Sequence, residues 1–168
     1  MLRQSYNSEQ IEVLYRKHGA ALLLFAVSIS GDRGHAQDVL HQVFLKLIEN
    51  GSFTQAKDIK AYLFACVRNA ALNNSRRENR HAPLEEDSIW FSPPERDYAG
   101  ERNLRQALSA LPEDQREVVV LHIWGELTFS EIGDLLRVSA NTAASRYRYA
   151  LERLRGSLFK EESCAQSG

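Results

Sequence analysis

The sequence predicts an all-α protein made of two small helical domains joined by a flexible linker, the C-terminal one a helix-turn-helix. Three observations predict it. Apolar residues recur at three- and four-residue steps through both ends of the chain, with almost no alternating, strand-like pattern. Between those ends lies HAPLEEDSIWFSPPERDYAGE, His81 to Glu101, which holds three of the four prolines and no period. Near the C-terminus a short capped segment, a tight connector and a longer helical segment follow one another, the spacing of a helix-turn-helix. The expected divisions are a domain over 1–80, a linker over 81–102, a second domain over 103–160 and a tail over 161–168.

The first helix is expected from Ser8 to Ser30, with Ile11, Leu14, Tyr15, Ala21, Leu22 and Phe25 inward and Gly31 and Gly34 as punctuation. The second, Ala36 to Glu49, buries Leu40, Val43, Phe44 and Leu47 and stops at the turn-prone Asn50-Gly51. The third, Asp58 to about Arg80, carries Ile59, Leu63, Val67, Ala70, Ala71 and Asn74 on one side and ends in Arg76, Arg77 and Arg80. The linker is acidic, and its apolar cluster Ile89-Trp90-Phe91 suits either tacking it onto a domain or docking a partner. Beyond it a short helix is expected over Asn103 to Ala110. Another runs from Pro112, at the first helical position with Glu113 and Asp114 in the first turn, to Trp124, with Gly125 as its stop. Thr128 and Glu131 form a capping box opening Phe129 to Leu136, and Ser139 can cap a last helix over Ala140 to Phe159.

Composition bounds the function. At 168 residues, 43% hydrophobic and 26% charged, the chain is globular rather than disordered or fibrous. The net charge of −1 divides unevenly, with eleven Lys and Arg against seven Asp and Glu in residues 1–80 and an acidic remainder. Near-neutrality gives little long-range attraction for DNA, so the isolated protein is expected to bind it poorly. Two cysteines, Cys66 and Cys164, make neither a disulfide framework nor a Cys-rich metal site, which suits a reducing cytosol. MLRQSYNSEQ begins no signal peptide, and the longest apolar run, Ala20 to Val27, falls far short of a membrane span. A cytoplasmic protein without membrane insertion is expected. No paired carboxylates, Ser-His-Asp elbow or Gly-rich phosphate loop stands out, and no histidines have ligand spacing; neither enzyme, metal nor cofactor is expected.

On the last helix, Ala143, Tyr147, Ala150, Leu151, Leu154 and Leu158 fall on one stripe and must be core. Thr142, Ser145, Arg146, Tyr149 and Arg153 fall on another. Small polar residues at the helix start permit close approach to bases, Arg146 can hold a guanine or a phosphate through two hydrogen bonds, and Arg148 and Arg155 flank for backbone phosphate. A plain structural bundle remains the competing reading of that pattern.

The stretches LPEDQREVVVL from Leu111, TFSEIG from Thr128, and Ser145-Arg146 resemble the C-terminal domain of bacterial RNA polymerase sigma factors. GHAQDVLHQVFLK, from Gly34, is similar to their segment that binds the polymerase clamp helices. AYLFACVRNAALNNSRRENR, from Ala61, is similar to the segment that melts and reads the minus-10 element. Two domains and a short linker resemble the extracytoplasmic-function class. The resemblance implies an alternative sigma factor whose partners are core RNA polymerase, promoter DNA and an anti-sigma factor. The alternative is a stand-alone dimeric helix-turn-helix regulator on palindromic sites.

The resemblance also implies site residues. Asp38, His41, Gln42 and Leu45 meet polymerase, with His41 and Gln42 where the family has Gln and Glu. Asn69 and the loop carrying Phe53 and Gln55 meet the minus-10 element, the loop capturing a flipped-out base, while Arg68, Arg76, Arg77 and Arg80 meet phosphates. Tyr62 stands where the family has Trp. Asn141, Thr142, Ser145, Arg146, Arg148, Tyr149 and Arg153 serve the minus-35 element. Asn141 replaces a family Gly, Ala144 a Lys and Tyr149 an Arg, which implies an altered sequence preference.

Overall fold

A computed structural model describes residues 7–50, 58–75 and 98–165; they form seven helices, and no strand occurs among the described residues. The first, α1 (Ser8–Ser30), opens on a reciprocal cap. The Asn7 side chain accepts the Gln10 amide at 2.8 Å and the Gln10 side chain accepts the Asn7 amide at 3.0 Å. Gly31, at φ +73°, ends it in the left-handed region where glycine is favoured. Helix α2 (Arg33–Asn50) starts three residues before the apolar pattern does. The cause is Asp32, whose carboxylate accepts the Gly34 amide at 3.0 Å; Gly34 lies inside the first turn rather than marking a break. Helix α3 (Ile59–Ser75) opens on Asp58, whose carboxylate accepts the Lys60 amide at 3.0 Å. Arg76, Arg77 and Arg80, the loop with Phe53 and Gln55, and the segment with Ile89, Trp90 and Phe91 lie outside the described residues.

Helix α4 (Tyr98–Ser109) begins five residues earlier than expected, with Gly100 in its first turn. In α5 (Glu113–Ile123) Pro112 is the cap residue, at φ −54° and ψ 148°, not the first helical one. The left-handed residue past α5 is Glu126, at φ 54°, rather than Gly125. Gly125 answers to a different constraint. A Cβ there would lie 2.5 Å from the Leu121 carbonyl oxygen, so the corner closes only over glycine; it would also lie 3.1 Å from Phe64 Cζ, a tight contact with the α3 aromatic. Helix α6 (Phe129–Leu136) has the expected bounds and reciprocal cap, the Glu131 amide donating to Thr128 Oγ1 at 3.1 Å. Helix α7 (Ala140–Ala165) opens on Ser139, whose Oγ accepts the Thr142 amide at 3.1 Å, and extends six residues past Phe159.

Helices α1, α2 and α3 pack on one another, and α5, α6 and α7 form a second group. Phe25 and Phe64 meet edge to face at 5.6 Å inside the first, and Tyr15 meets Phe44 at 5.2 Å. In the second, His122 stacks on Phe129 at 4.3 Å and meets Tyr147 edge-on at 4.7 Å, joining α5, α6 and α7. The two groups share one core. A surface helix buries a stripe, yet α5 buries five consecutive residues, Glu117 to Leu121. It has packing partners on both sides, α6 and α7 on one and α1 on the other.

Arg116 fixes α5 in that slot. Its guanidinium donates to Leu108 O (2.9 Å), Leu111 O (2.9 Å), Ser109 O (3.3 Å) and, from the last turn of α1, Ser28 O (2.8 Å). Lysine has one donor centre and cannot reproduce this fork. Arg116→Lys is therefore expected to lower stability by about 1.5–3 kcal/mol, read as a reduced urea midpoint with an unchanged slope.

Candidate nucleic-acid interface

The crossing of α6 and α7 depends on a missing side chain. A Cβ on Gly133 would sit 2.6 Å from Val138 O, so the connector closes against α6 only over glycine. Arg137 turns the chain in the left-handed region at φ 59°, and the Val138 amide donates to Gly133 O at 2.9 Å. This sets the start of α7 free of the domain surface. Ala143 and Ala150 are fully buried and Tyr147, Leu151 and Leu154 half-buried, matching the expected stripe; the Leu158 side chain lies outside those described.

On the other side Asn141, Thr142, Arg148, Tyr149 and Arg153 are exposed and Ser145 is half-buried. The Arg148 guanidinium lies 5.4 Å from the centroid of the Tyr149 ring, a cation–π arrangement. Arg146 stands apart from them. It is half-buried, and its Nε is 3.5 Å from the Asp114 carboxylate of α5. The periodicity grouped Arg146 with Thr142 and Tyr149; its guanidinium lies against α5, and Arg148 and Arg153 are outward cations.

In the first helical group, Gln42 and Leu45 are exposed and Asp38 and His41 half-buried, on the side of α2 away from Leu40, Val43, Phe44 and Leu47. Burial pushes the His41 imidazole below its usual pKa, and the charge of Asp38 opposes it in part. Ile48, 54% exposed, extends the apolar surface of Leu45 and escaped the sequence reading; its signal was a large apolar residue off the buried stripe. On α3, Asn69 and Tyr62 are exposed while Phe64 is fully buried. Arg68 is half-buried, its Nε 3.4 Å from Glu117 Oε1 of α5, an ion pair without hydrogen-bond geometry.

Glu117 thus joins the two groups electrostatically. It is 5% exposed, and burial pushes its carboxyl above the ordinary range. Arg68 and, more weakly, Arg146 pull it back, while Glu113 adds to the rise. Sequence reasoning missed Glu117, although a carboxylate placed directly before the apolar run Val118 to Leu121 was a signal. Among the described residues no three His, Cys, Asp or Glu converge as metal ligands would.

Family models match the chain in two places, sigma-70 region 2 over residues 14–81 and sigma-70 region 4 over residues 101–154. The ECF RNA polymerase sigma factor EcfG of Rhodopseudomonas palustris is 26% identical over 144 residues, 83% of this chain and 80% of its own. The ECF RNA polymerase sigma factor RpoE of Cereibacter sphaeroides is 30% identical over 128 residues, 71% of this chain and 68% of its own. In fold, the chain is similar to the sigma factor RpoE of a co-crystal with the anti-sigma factor NepR from Bartonella quintana. The TM-score is 0.69 at 22% identity, over 89% of this chain and 97% of that one.

The buried carboxyl gives a pH signature. A carboxyl whose folded pKa is raised adds stability below its ordinary value of 4.5, and that stability is lost as pH rises through the raised value. Glu117→Gln removes this titration. The melting temperature of the wild type is expected to fall relative to that of Glu117→Gln as pH is raised from about 4 to 7.

Proposed function

Because the chain belongs to the extracytoplasmic-function class of the sigma-70 family, we propose that its two halves divide a promoter between them on core RNA polymerase. Residues 1–80 grip the polymerase and read and open the minus-10 element; residues 103–160 read duplex DNA at the minus-35 element. The protein is a sigma factor that directs transcription initiation. The observation that carries this reading is the pair of family regions, matched in order on two helical groups of one chain. A stand-alone regulator with a helical sensor domain would have no reason to carry the region 2 match, and that reading is dropped.

On α2 the polymerase contact consists of Asp38, His41, Gln42 and Leu45, with Ile48 enlarging its apolar part. A histidine held toward its neutral form beside a leucine suits a desolvated protein contact better than a phosphate. At the minus-10 element Asn69 offers an amide to the unpaired strand, with Phe53 and Gln55 from the preceding loop and Arg68, Arg76, Arg77 and Arg80 on phosphates. At the minus-35 element Asn141, Thr142, Ser145 and Tyr149 approach base edges, and Arg148 and Arg153 hold phosphate. Arg146 joins them on leaving Asp114. The role is non-catalytic and uses no cofactor. The protein acts in the cytoplasm, where the polymerase is, and no helix among the described residues is long and apolar enough to cross a membrane. An anti-sigma factor is proposed as its regulator, by analogy with the structural relative.

Run-off transcription with purified core polymerase on a pool of promoter fragments tests this. Initiation at discrete sites is expected only with the protein added. Asn69→Ala and Arg146→Ala should each reduce it about 5- to 150-fold, the value of one good base contact, at unchanged helix content. Tight, specific DNA binding by the free protein, with no initiation, would overturn the reading.

A further inference from the structure

We propose that Cys66 is a positioning residue for the minus-10 contact: its sulfur accepts the Tyr62 hydroxyl and holds that ring along α3, where the opened strand meets it. What the ring meets rests on the sigma-factor reading; the tie between the two side chains does not.

The register of α3 carries the inference. Tyr62, Cys66, Asn69 and Asn73 follow one another at steps of four, three and four residues. At about 100° per residue they fall within an arc of about 60°. Leu63, Phe64, Val67 and Ala71 are buried on the other side of the helix. Arg68, next in sequence to Asn69, lies outside the arc and against Glu117. Within the arc Tyr62, Asn69 and Asn73 are exposed, and Cys66 is half-buried among them. The thiol is therefore the floor of the face that Asn69 presents. An exposed aromatic beside an exposed amide suits unpaired bases, which stack on one and hydrogen-bond to the other.

Side chains four residues apart on a helix are neighbours, and the Tyr62 hydroxyl is hydrogen-bonded to the Cys66 sulfur. That bond is the main cause that lifts the Tyr62 phenol above its ordinary pKa. Burial pushes the Cys66 thiol up, against the smaller pulls of Tyr62 and of Lys46 on α2. Both groups are thus neutral near pH 7, and the pair is a hydroxyl donor on a thiol sulfur. A ring anchored at both ends of one helical turn lies along the helix instead of projecting from it. The anchor also provides for the hydroxyl. A base that covers Tyr62 takes water from it, and an unpartnered hydroxyl there would oppose stacking. Cys66 supplies the acceptor before the strand arrives.

The test uses the full chain on core polymerase and a promoter that it opens. Permanganate oxidation of unpaired thymines reads opening of the minus-10 element. Cys66→Ala should reduce it about 2- to 10-fold, the value of one hydrogen bond, with helix content and affinity for polymerase unchanged. Cys66→Ser keeps an acceptor and should restore it. In a Tyr62→Phe background Cys66→Ala should change nothing further, because no hydroxyl remains to hold. If Cys66→Ala loses helix content, Cys66→Val, which removes the sulfur and fills its space, takes its place. Opening that is indifferent to loss of the sulfur overturns the proposal. So does a loss that Cys66→Ser fails to restore, or one equally large without the hydroxyl, since packing alone would give either. Absorbance titration of the protein against Tyr62→Phe reads the phenol without DNA, and its pKa should fall toward the ordinary value on Cys66→Ala. An unmoved phenol would show that the tie does not exist. Should no form open a promoter, the sigma-factor reading fails, and the titration still decides the tie.

Discussion

Helix ends leave carbonyls without amide partners, and three chain segments of this protein run out of partners at one place. The last turn of α1, the end of α4 and the corner into α5 all direct carbonyl oxygens at the Arg116 guanidinium. Five donors in a rigid plane suit that convergence as no other side chain does. The arrangement of α5 follows from it. Held by its first turn, α5 presents Val118 to Leu121 to neighbours on both sides, and two bundles become one continuous core.

That placement decides which charges are available. The protein's near-zero net charge conceals a local cancellation, with cations on α3 and α7 and the matching acids on the helix between them. An arginine on a recognition helix is not automatically an arginine offered to DNA. Arg148 is exposed beside Tyr149, while Arg146, two residues earlier, is half-buried against Asp114. A rotation of 200° about the helix axis separates the two environments.

What could be read from the sequence was what depends on neighbours in the chain. Helix α6 came out with its bounds because Thr128 and Glu131 satisfy each other's amides within four residues. The inward residues of α2 followed from periodicity alone. The start of α2 was misjudged because Gly34 looked like a break, although Asp32 had already capped the helix. Tyr62 and Phe64 could not be told apart, since Phe64 is buried against Phe25 of α1 and lies close to Gly125 from the other half of the molecule. The pairing of Glu117 with Arg68 and of Asp114 with Arg146 was invisible for the same reason: each depends on which helix lies alongside. The expected residues Phe53, Gln55, Arg76, Arg77 and Arg80 lie outside the described structure, and their roles rest on family resemblance.

The fit of Phe64 against Gly125 also bears on how the chain is made. The aromatic leaves the ribosome 61 residues ahead of the glycine that receives it. At translation rates of about 5–20 residues per second, that delay is about 3–12 s. During it the first three helices can complete their own bundle around Phe25 and Phe64, but the edge of Phe64 that meets Gly125 remains uncovered. The nascent chain therefore passes through an interval in which a chaperone, or another emerging chain, competes with α5 for that surface.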